Sequence, residues 1–171
     1  MKYRFEHEFP CDRDTLMKTM FEKGVIEVLK SRMAHVQEAE TLSWSEQSGR
    51  IDRKVRYMPV PKIKAVGPKK VEPRWMEWIE ESRLDLARGT ATYVNVPTAH
   101  QVAELLKNSG EVQFESAGPG RARRILSGEL KVKVFLLGTI AEHVIHGYAA
   151  EIVNEEAAAL ARLIQERNAK Q

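Results

Sequence analysis

The stretch from Phe135 to Gln171 constrains the fold of this chain more than any other feature of its sequence. Its apolar side chains recur at three- and four-residue spacing, which predicts one long amphipathic α-helix. The predicted apolar stripe consists of Leu137, Ile140, Ala141, Val144, Ile145, Tyr148 and Ile152. Such a helix would extend about 50 Å, at about 1.5 Å per residue. Because one side of it is apolar, it needs a surface on which to lie.

The chain before this helix has the patterns of β-strands. Strict alternation over Lys2–Phe9 predicts a half-buried strand, and two short helices follow with a bend at Gly24. Three hairpins are predicted, around Ser48-Gly49, Arg88-Gly89 and Gly118-Pro119-Gly120. Residues 98–108 fit a short helix, the start of a strand or an irregular connection. The seven predicted strands favour an α+β fold in which a curved antiparallel sheet grips the C-terminal helix and leaves a cavity beside it.

The turn positions also predict which inward-facing residues lie opposite each other in neighbouring strands. A two-residue turn at Ser48-Gly49 would pair Trp44 with Arg53, Leu42 with Val55 and Glu40 with Tyr57. A turn at Arg88-Gly89 would pair Tyr93 with Leu84 and Asn95 with Ser82. In the last strand, Gly128 lacks a side chain where the sheet must bend or where the helix or a ligand comes close.

Composition limits the classes of protein that fit. A length of 171 residues with 43% apolar content is expected to form a single domain, residues 1–171. The lone cysteine, Cys11, excludes an internal disulfide and cysteine-rich cofactor motifs, so we expect no cofactor. No apolar run approaches the roughly 18 residues of a membrane span, and the N-terminal residues do not resemble a signal peptide. We therefore expect a soluble, cytoplasmic protein.

The predicted order of elements, ending in GELKVKV, FLLG and TIAEHVI, resembles the START-like superfamily. This superfamily has the helix-grip fold and includes polyketide cyclases and plant pathogenesis-related ligand binders. Within it, residues Gly110 to Val144 are similar to one uncharacterised bacterial family. The resemblance implies a deep pocket between sheet and helix that holds a lipid, sterol, quinone or polyketide-like molecule.

Strand alternation places polar side chains on the inner face among apolar ones. The candidate ligand-binding residues are His7, Met17, Phe21, Glu40, Arg53, Tyr57, Trp78, Tyr93, Asn95, Arg124 and Tyr148. An apolar cavity with a few convergent polar groups is typical of small-molecule sites.

Three functions fit these residues, and the first is the one we expect. In a binding or transfer protein, Arg53 and Arg124 hold a carboxylate or phosphate headgroup. In a cyclase or aldol-type enzyme, Glu40 or Glu80, with its pKa raised by burial, acts as the general base. In a protein-interaction module, the cavity is filled by the protein's own side chains.

The same patterns bear on partners and metals. The segment Val60 to Val71 alternates apolar residues with lysines, which suits contact with an anionic membrane. Helical projection places His143 and His146 on the solvent side, so no metal site is predicted. Although the calculated pI is near 9.0, no nucleic-acid-binding motif accompanies it. Beyond Ile152 the apolar stripe shifts around the helix, which fits either a curved helix or contact with a second subunit, so the protein is expected to be a monomer or a homodimer.

Overall fold

A computed structural model describes residues 1–66 and 68–170. Two residues of the predicted elements, Gly67 in the loop and Gln171 at the helix end, lie outside it, as do the side chains of Val66 and Lys69. In chain order the described elements are β1 (Lys2–Phe9), α1 (Arg13–Met20), α2 (Val25–Lys30), β2 (Val36–Gln47), β3 (Arg50–Pro59), β4 (Ala65–Val66), β5 (Lys69–Lys70), a 3-10 turn (Pro73–Met76), β6 (Trp78–Asp85), β7 (Thr90–Pro97), α3 (His100–Ala103), β8 (Leu106–Ser116), β9 (Ala122–Val132) and α4 (Gly138–Asn168).

The main sheet has seven antiparallel strands in the order β1-β9-β8-β7-β6-β3-β2. The first strand pairs with the last, and α4 follows that last strand directly and lies on the concave face. The predicted α+β helix-grip fold is thereby confirmed. Strands β4 and β5 form a separate small ribbon within the segment predicted as a loop. Residues 98–108, which were ambiguous, contain the single turn α3 and the beginning of β8.

Helices α1 and α2 close one end of the sheet. Asp12 begins α1 by accepting a 2.9 Å hydrogen bond from the Thr15 backbone N–H. The two helices meet at Gly24, whose φ of 82° is readily adopted only by glycine. The bend predicted there is confirmed. Behind these helices lies a core of fully buried side chains that includes Leu16, Met17 and Leu29.

The second half of α4 packs on α1 and α2. Its buried residues there include Leu160, Leu163 and Ile164. Ion pairs reinforce the contact: Arg32 to Glu166 at 2.8 Å and Arg167 to Glu22 at 2.6 Å. The shift of the apolar stripe is therefore explained within one chain, by two helices that the sheet-based prediction had not placed against α4.

The first half of α4 departs from the predicted stripe. Ala141, Tyr148 and Ile152 are buried as predicted, whereas Ile140 and Val144 are exposed. The prediction was wrong for these two residues because the sheet covers a narrower arc of the helix than the apolar stripe spans. No helix in the described residues is long and apolar enough to cross a bilayer.

A β-bulge corrects the predicted face of one strand. Trp44 lies opposite Arg53 as predicted, but the register shifts between Thr41 and Ser43. The extra residue turns residues 38–41 over, because side chains alternate with a period of two, until a second register shift between Val36 and Glu38. Glu40 consequently lies on the outer face, with Leu42 exposed beside it. No turn residue marks this bulge in the sequence.

The β6-β7 turn is longer than predicted. Asp85 pairs with Thr90 across a four-residue turn, so Tyr93 lies opposite Ser82 and Asn95 opposite Glu80. The predicted partners were wrong by two residues. An even shift leaves each side chain on its predicted face, so the inward orientation of Tyr93 and Asn95 is confirmed.

Candidate ligand-binding site

A cavity of about 440 Å³, partly open to solvent, lies between the concave face of the sheet and α4. This volume falls within the roughly 300–1,000 Å³ of small-molecule pockets. Of the residues predicted to bind a ligand, seven line the cavity: Phe21, Arg53, Tyr57, Trp78, Tyr93, Asn95 and Tyr148. Glu80, one of two predicted candidates for a general base, also lines it.

The other four predicted residues lie elsewhere. Met17 is a core residue, and Met20 and Met33 line the cavity in its place. Glu40, placed outside by the bulge, accepts a 2.8 Å hydrogen bond from Arg56. It can act neither as a ligand contact nor as a general base within the cavity.

His7 and Arg124 lie behind the cavity wall. Arg124 is fully buried and donates a 2.6 Å hydrogen bond to Glu156 of α4, which itself lines the cavity. His7 is 2.9 Å from Asn154 Oδ1, and burial lowers the pKa of its imidazole. Both residues join the sheet to α4. Strand alternation predicted their inward direction, but it does not distinguish facing the helix from facing the cavity.

A row of polar side chains and glycines crosses the inner face of the sheet. Following the pairing register from β3 to β1, it consists of Arg53, Ser82, Tyr93, Gly110, Gly128 and Tyr3. A second row, two residues along the strands, contains Glu80, Asn95 and Asn108. We call these two rows the polar belt.

Apolar rows border the polar belt on both sides. One consists of Ile51, Leu84, Ala91, Val112, Leu126 and Phe5. The other includes Tyr57, Trp78 and Pro97, with the rings of Tyr57 and Trp78 stacked at 5.1 Å between centroids. The cavity is therefore apolar at its two ends and polar across its middle.

Arg53 supplies the positive charge of the polar belt. It is almost fully buried and donates hydrogen bonds to Glu80 at 3.1 Å and to the Met20 carbonyl at 2.9 Å. Its guanidinium also lies 4.5 Å from the centre of the Phe21 ring. The sequence suggested Trp44 as the stacking partner, but Trp44 instead donates to the Phe21 carbonyl.

Two tyrosine hydroxyls meet above the two glycines of the polar belt. The Tyr3 and Tyr93 oxygens are 2.7 Å apart, and Tyr3 donates to Asn108 Oδ1 at 2.5 Å. A Cβ added at Gly110 or Gly128 would lie 2.4 to 2.6 Å from the Tyr93 hydroxyl. The close approach predicted at Gly128 is therefore made by tyrosines, not by the helix or a ligand.

Burial raises the pKa of both tyrosine hydroxyls, so Tyr3 and Tyr93 stay protonated and remain hydrogen-bond donors. Sequence reasoning placed Tyr3 on the inner face but did not select it, because its neighbours depend on a β1-β9 register that no turn fixes. Asn108 was missed because it lies in the ambiguous segment.

Two acceptors in the polar belt have no hydrogen-bond partner among the described residues. They are the Ser82 hydroxyl and Asn95 Oδ1, both buried in the wall of the cavity. Leaving such a group unpaired costs on the order of 1–3 kcal/mol. The middle of the cavity can therefore accept a hydrogen bond from a bound group.

α4 completes the cavity with two further side chains. The Tyr148 hydroxyl lies 2.5 Å from the Val60 carbonyl and 3.1 Å from that of His35, so it anchors the start of the Val60–Val71 segment. His146 stacks on Phe5 at 5.5 Å and lines the cavity. The prediction that both histidines face solvent was wrong for His146, because the rings of Tyr3 and Phe5 in β1 lie against it, and holds for the exposed His143.

Comparison with known proteins identifies the fold. No protein-family model matches the sequence, and no curated protein matches it. Similar solved structures include TTHA0849 from Thermus thermophilus, with a TM-score of 0.68 and 17% identity over 98% of this chain and 99% of that one. The Zhui aromatase/cyclase from Streptomyces sp. R1128 has a TM-score of 0.63 and 14% identity over 96% and 95% of the two chains.

Norcoclaurine synthase from Thalictrum flavum, in complex with dopamine and hydroxybenzaldehyde, has a TM-score of 0.67. Its identity is 14%, over 97% of this chain and 87% of that one. At these identities the likeness shows the fold, which is the helix-grip fold of START-like proteins. The similarity of residues 110–144 to one bacterial family stays a prediction.

Proposed function

We propose that the protein binds and transfers an amphipathic small molecule, of the lipid, sterol, quinone or polyketide kind, in the cavity between sheet and α4. The observation that carries the proposal is the cavity itself, with apolar ends and a polar belt that offers Ser82 and Asn95 as free acceptors. A purely apolar ligand would leave these groups unpaired. The ligand therefore carries a polar group partway along its length: a hydroxyl can donate to Ser82 or Asn95, and a carbonyl can accept from the Ser82 hydroxyl.

Binding fits the polar belt better than catalysis does. Glu80, the remaining candidate for a general base, already accepts a hydrogen bond from Arg53. The tyrosines bond to each other and Tyr3 also donates to Asn108, and the raised pKa values of both hydroxyls keep their protons in place. These groups are positioned to hold a ligand, whereas a proton-abstracting base needs an available carboxylate near the reacting carbon.

We also propose that the Val60–Val71 segment contacts an anionic membrane while the ligand is transferred. Ile63, Lys70 and Val71 line the cavity, so this segment borders the route by which a ligand would leave. Its lysines would favour anionic headgroups.

Filling the cavity tests the binding proposal. Ala149 lines the cavity from α4, so Ala149→Phe would occupy ligand space. We expect this variant to bind a polarity-sensitive anilinonaphthalene dye, and any natural ligand, about tenfold or more weakly. Fluorescence titration measures both affinities.

The matched control is Ala158→Phe, which adds the same ring to an exposed position of the same helix. It is expected to bind like the unaltered protein. Equal affinities for the Ala149 variant and the unaltered protein, with both folded by circular dichroism, would show that the ligand lies elsewhere.

A further inference from the structure

Four apolar side chains are exposed together where β9 passes into α4. Phe135 and Leu136 are 88% and 83% exposed, and Ile140 and Val144 continue from them along one side of the helix. We call these four residues the apolar tip. Ile140 and Val144 are four residues apart in α4 and share one face of the helix, and Leu136 lies two residues before the helix begins.

The backbone of the apolar tip is strained at Leu136. Leu136 has a φ of 61°, a left-handed conformation that leucine rarely adopts. Strain of this kind is typical of functional segments. Neither Phe135 nor Leu136 lines the cavity, whereas their neighbours Val134 and Leu137 do. The apolar tip thus projects from the rim of the cavity.

Residues that line the cavity lie next to the apolar tip in the fold. Leu105 both lines the cavity and is exposed, and its carbonyl accepts a 2.8 Å hydrogen bond from the Lys133 N–H in the chain just before the tip. A molecule leaving the cavity at Leu105 would therefore pass next to the tip.

Lysines lie in the strands that lead to the apolar tip. Lys107 and Lys131 lie directly opposite each other in β8 and β9, and Lys133 follows two residues later. Like charges placed opposite each other destabilise a sheet, and Glu129 offsets only part of this charge through a 3.1 Å contact with Lys131. Lys64 and Lys70, in the segment that borders the cavity, are also exposed.

We infer that the apolar tip is a docking site for an anionic lipid surface: Phe135 and Leu136 enter the acyl region while the neighbouring lysines meet phosphate headgroups. This inference deepens the proposed function, on which it rests, because it brings the open end of the cavity to the membrane. A second copy of the chain is a poorer occupant. A stable dimer buries about 800 Å² per partner, and four side chains on a narrow tip expose far less.

Vesicle co-sedimentation tests the docking site. The unaltered protein is expected to sediment with vesicles of phosphatidylglycerol and phosphatidylcholine in equal parts, less so as salt is raised, and weakly with phosphatidylcholine alone. The variant Phe135→Ser/Leu136→Ser is expected to bind the anionic vesicles about tenfold or more weakly. The control Val28→Ser/Leu42→Ser removes exposed apolar side chains distant from the cavity and is expected to bind normally.

A second tip variant, Leu136→Gly, should not disturb folding, because glycine adopts the left-handed conformation without strain. It removes the exposed Leu136 side chain. It is expected to be as stable as the unaltered protein and to bind vesicles more weakly. Unchanged vesicle binding in both tip variants would overturn the inference, as would an unaltered protein that ignores anionic vesicles at low salt, or a dimer that the tip variants dissociate.

The dye titration separates this inference from the proposed function. The tip variants keep the cavity and are expected to bind the dye normally. Tip variants that bind both the dye and the vesicles normally would overturn the docking site alone. An unaltered protein that binds neither the dye nor any lipid would overturn the carrier function.

Discussion

Among the residues that the structure describes, Arg53 and Arg124 are the charged side chains that are buried. Each is bonded to a glutamate that lines the cavity, Arg53 to Glu80 and Arg124 to Glu156. A buried charge is tolerated only when it is paired and hydrogen-bonded. Arg53 therefore belongs to the polar belt, while Arg124 fastens β9 to α4.

The Arg124–Glu156 pair predicts a large effect on stability. Arg124→Met leaves the Glu156 carboxylate, only 16% exposed, without its cation. We expect the free energy of unfolding to fall by about 3 kcal/mol or more, measured by urea denaturation.

Arg83→Met is the matched control, because Arg83 and Asp52 are also 2.6 Å apart but are 65% and 49% exposed. Solvent screening limits the expected loss there to about 1 kcal/mol or less. Similar losses in the two variants would contradict the role assigned to Arg124.

At the scale of elements, a glycine in the sheet and a glycine in the helix have different surroundings. A Cβ at Gly128 of β9 would lie 2.5 Å from the Tyr3 hydroxyl and 2.6 Å from the Ser109 carbonyl, whereas one at Gly147 of α4 meets nothing within 4 Å. The first glycine is required by the crowded polar belt. Gly147 has no such neighbours and only lowers the stability of the helix.

The same substitution at these two glycines is expected to have opposite effects. Gly128→Ala should lower the free energy of unfolding by about 1–3 kcal/mol, because the Ser109 backbone cannot yield easily. Gly147→Ala should raise it by about 0.5–1 kcal/mol, since alanine favours the helix. Urea denaturation of both variants checks the signs, and a stabilising Gly128→Ala would mean that neither the Ser109 carbonyl nor the tyrosine hydroxyls lie close over Gly128.

The elements also show what the sequence could predict. Regular alternation and helical spacing identified the seven strands and α4, because each repeats its signal over many residues. The bulge in β2 and the length of the β6-β7 turn change the register by one or two residues and leave no such signal. Glu40 was consequently placed in the cavity, although it lies outside.

At the scale of the whole molecule, the grip of the sheet on α4 could be predicted but the contents of the interior could not. The middle of the cavity is polar because Arg53 bonded to Glu80, and Tyr3 bonded to Tyr93, stand there in place of aliphatic side chains. That balance depends on cross-strand pairings such as Tyr3 with Gly128, which join residues more than a hundred positions apart.

Native mass spectrometry of the protein purified from its own host tests the carrier function most directly. The account predicts a population heavier than the bare chain by the mass of one small amphipathic molecule, present in the unaltered protein and in Ala158→Phe but diminished in Ala149→Phe. A bare mass in all three proteins, unchanged after incubation with a lipid extract of the same host, would contradict it.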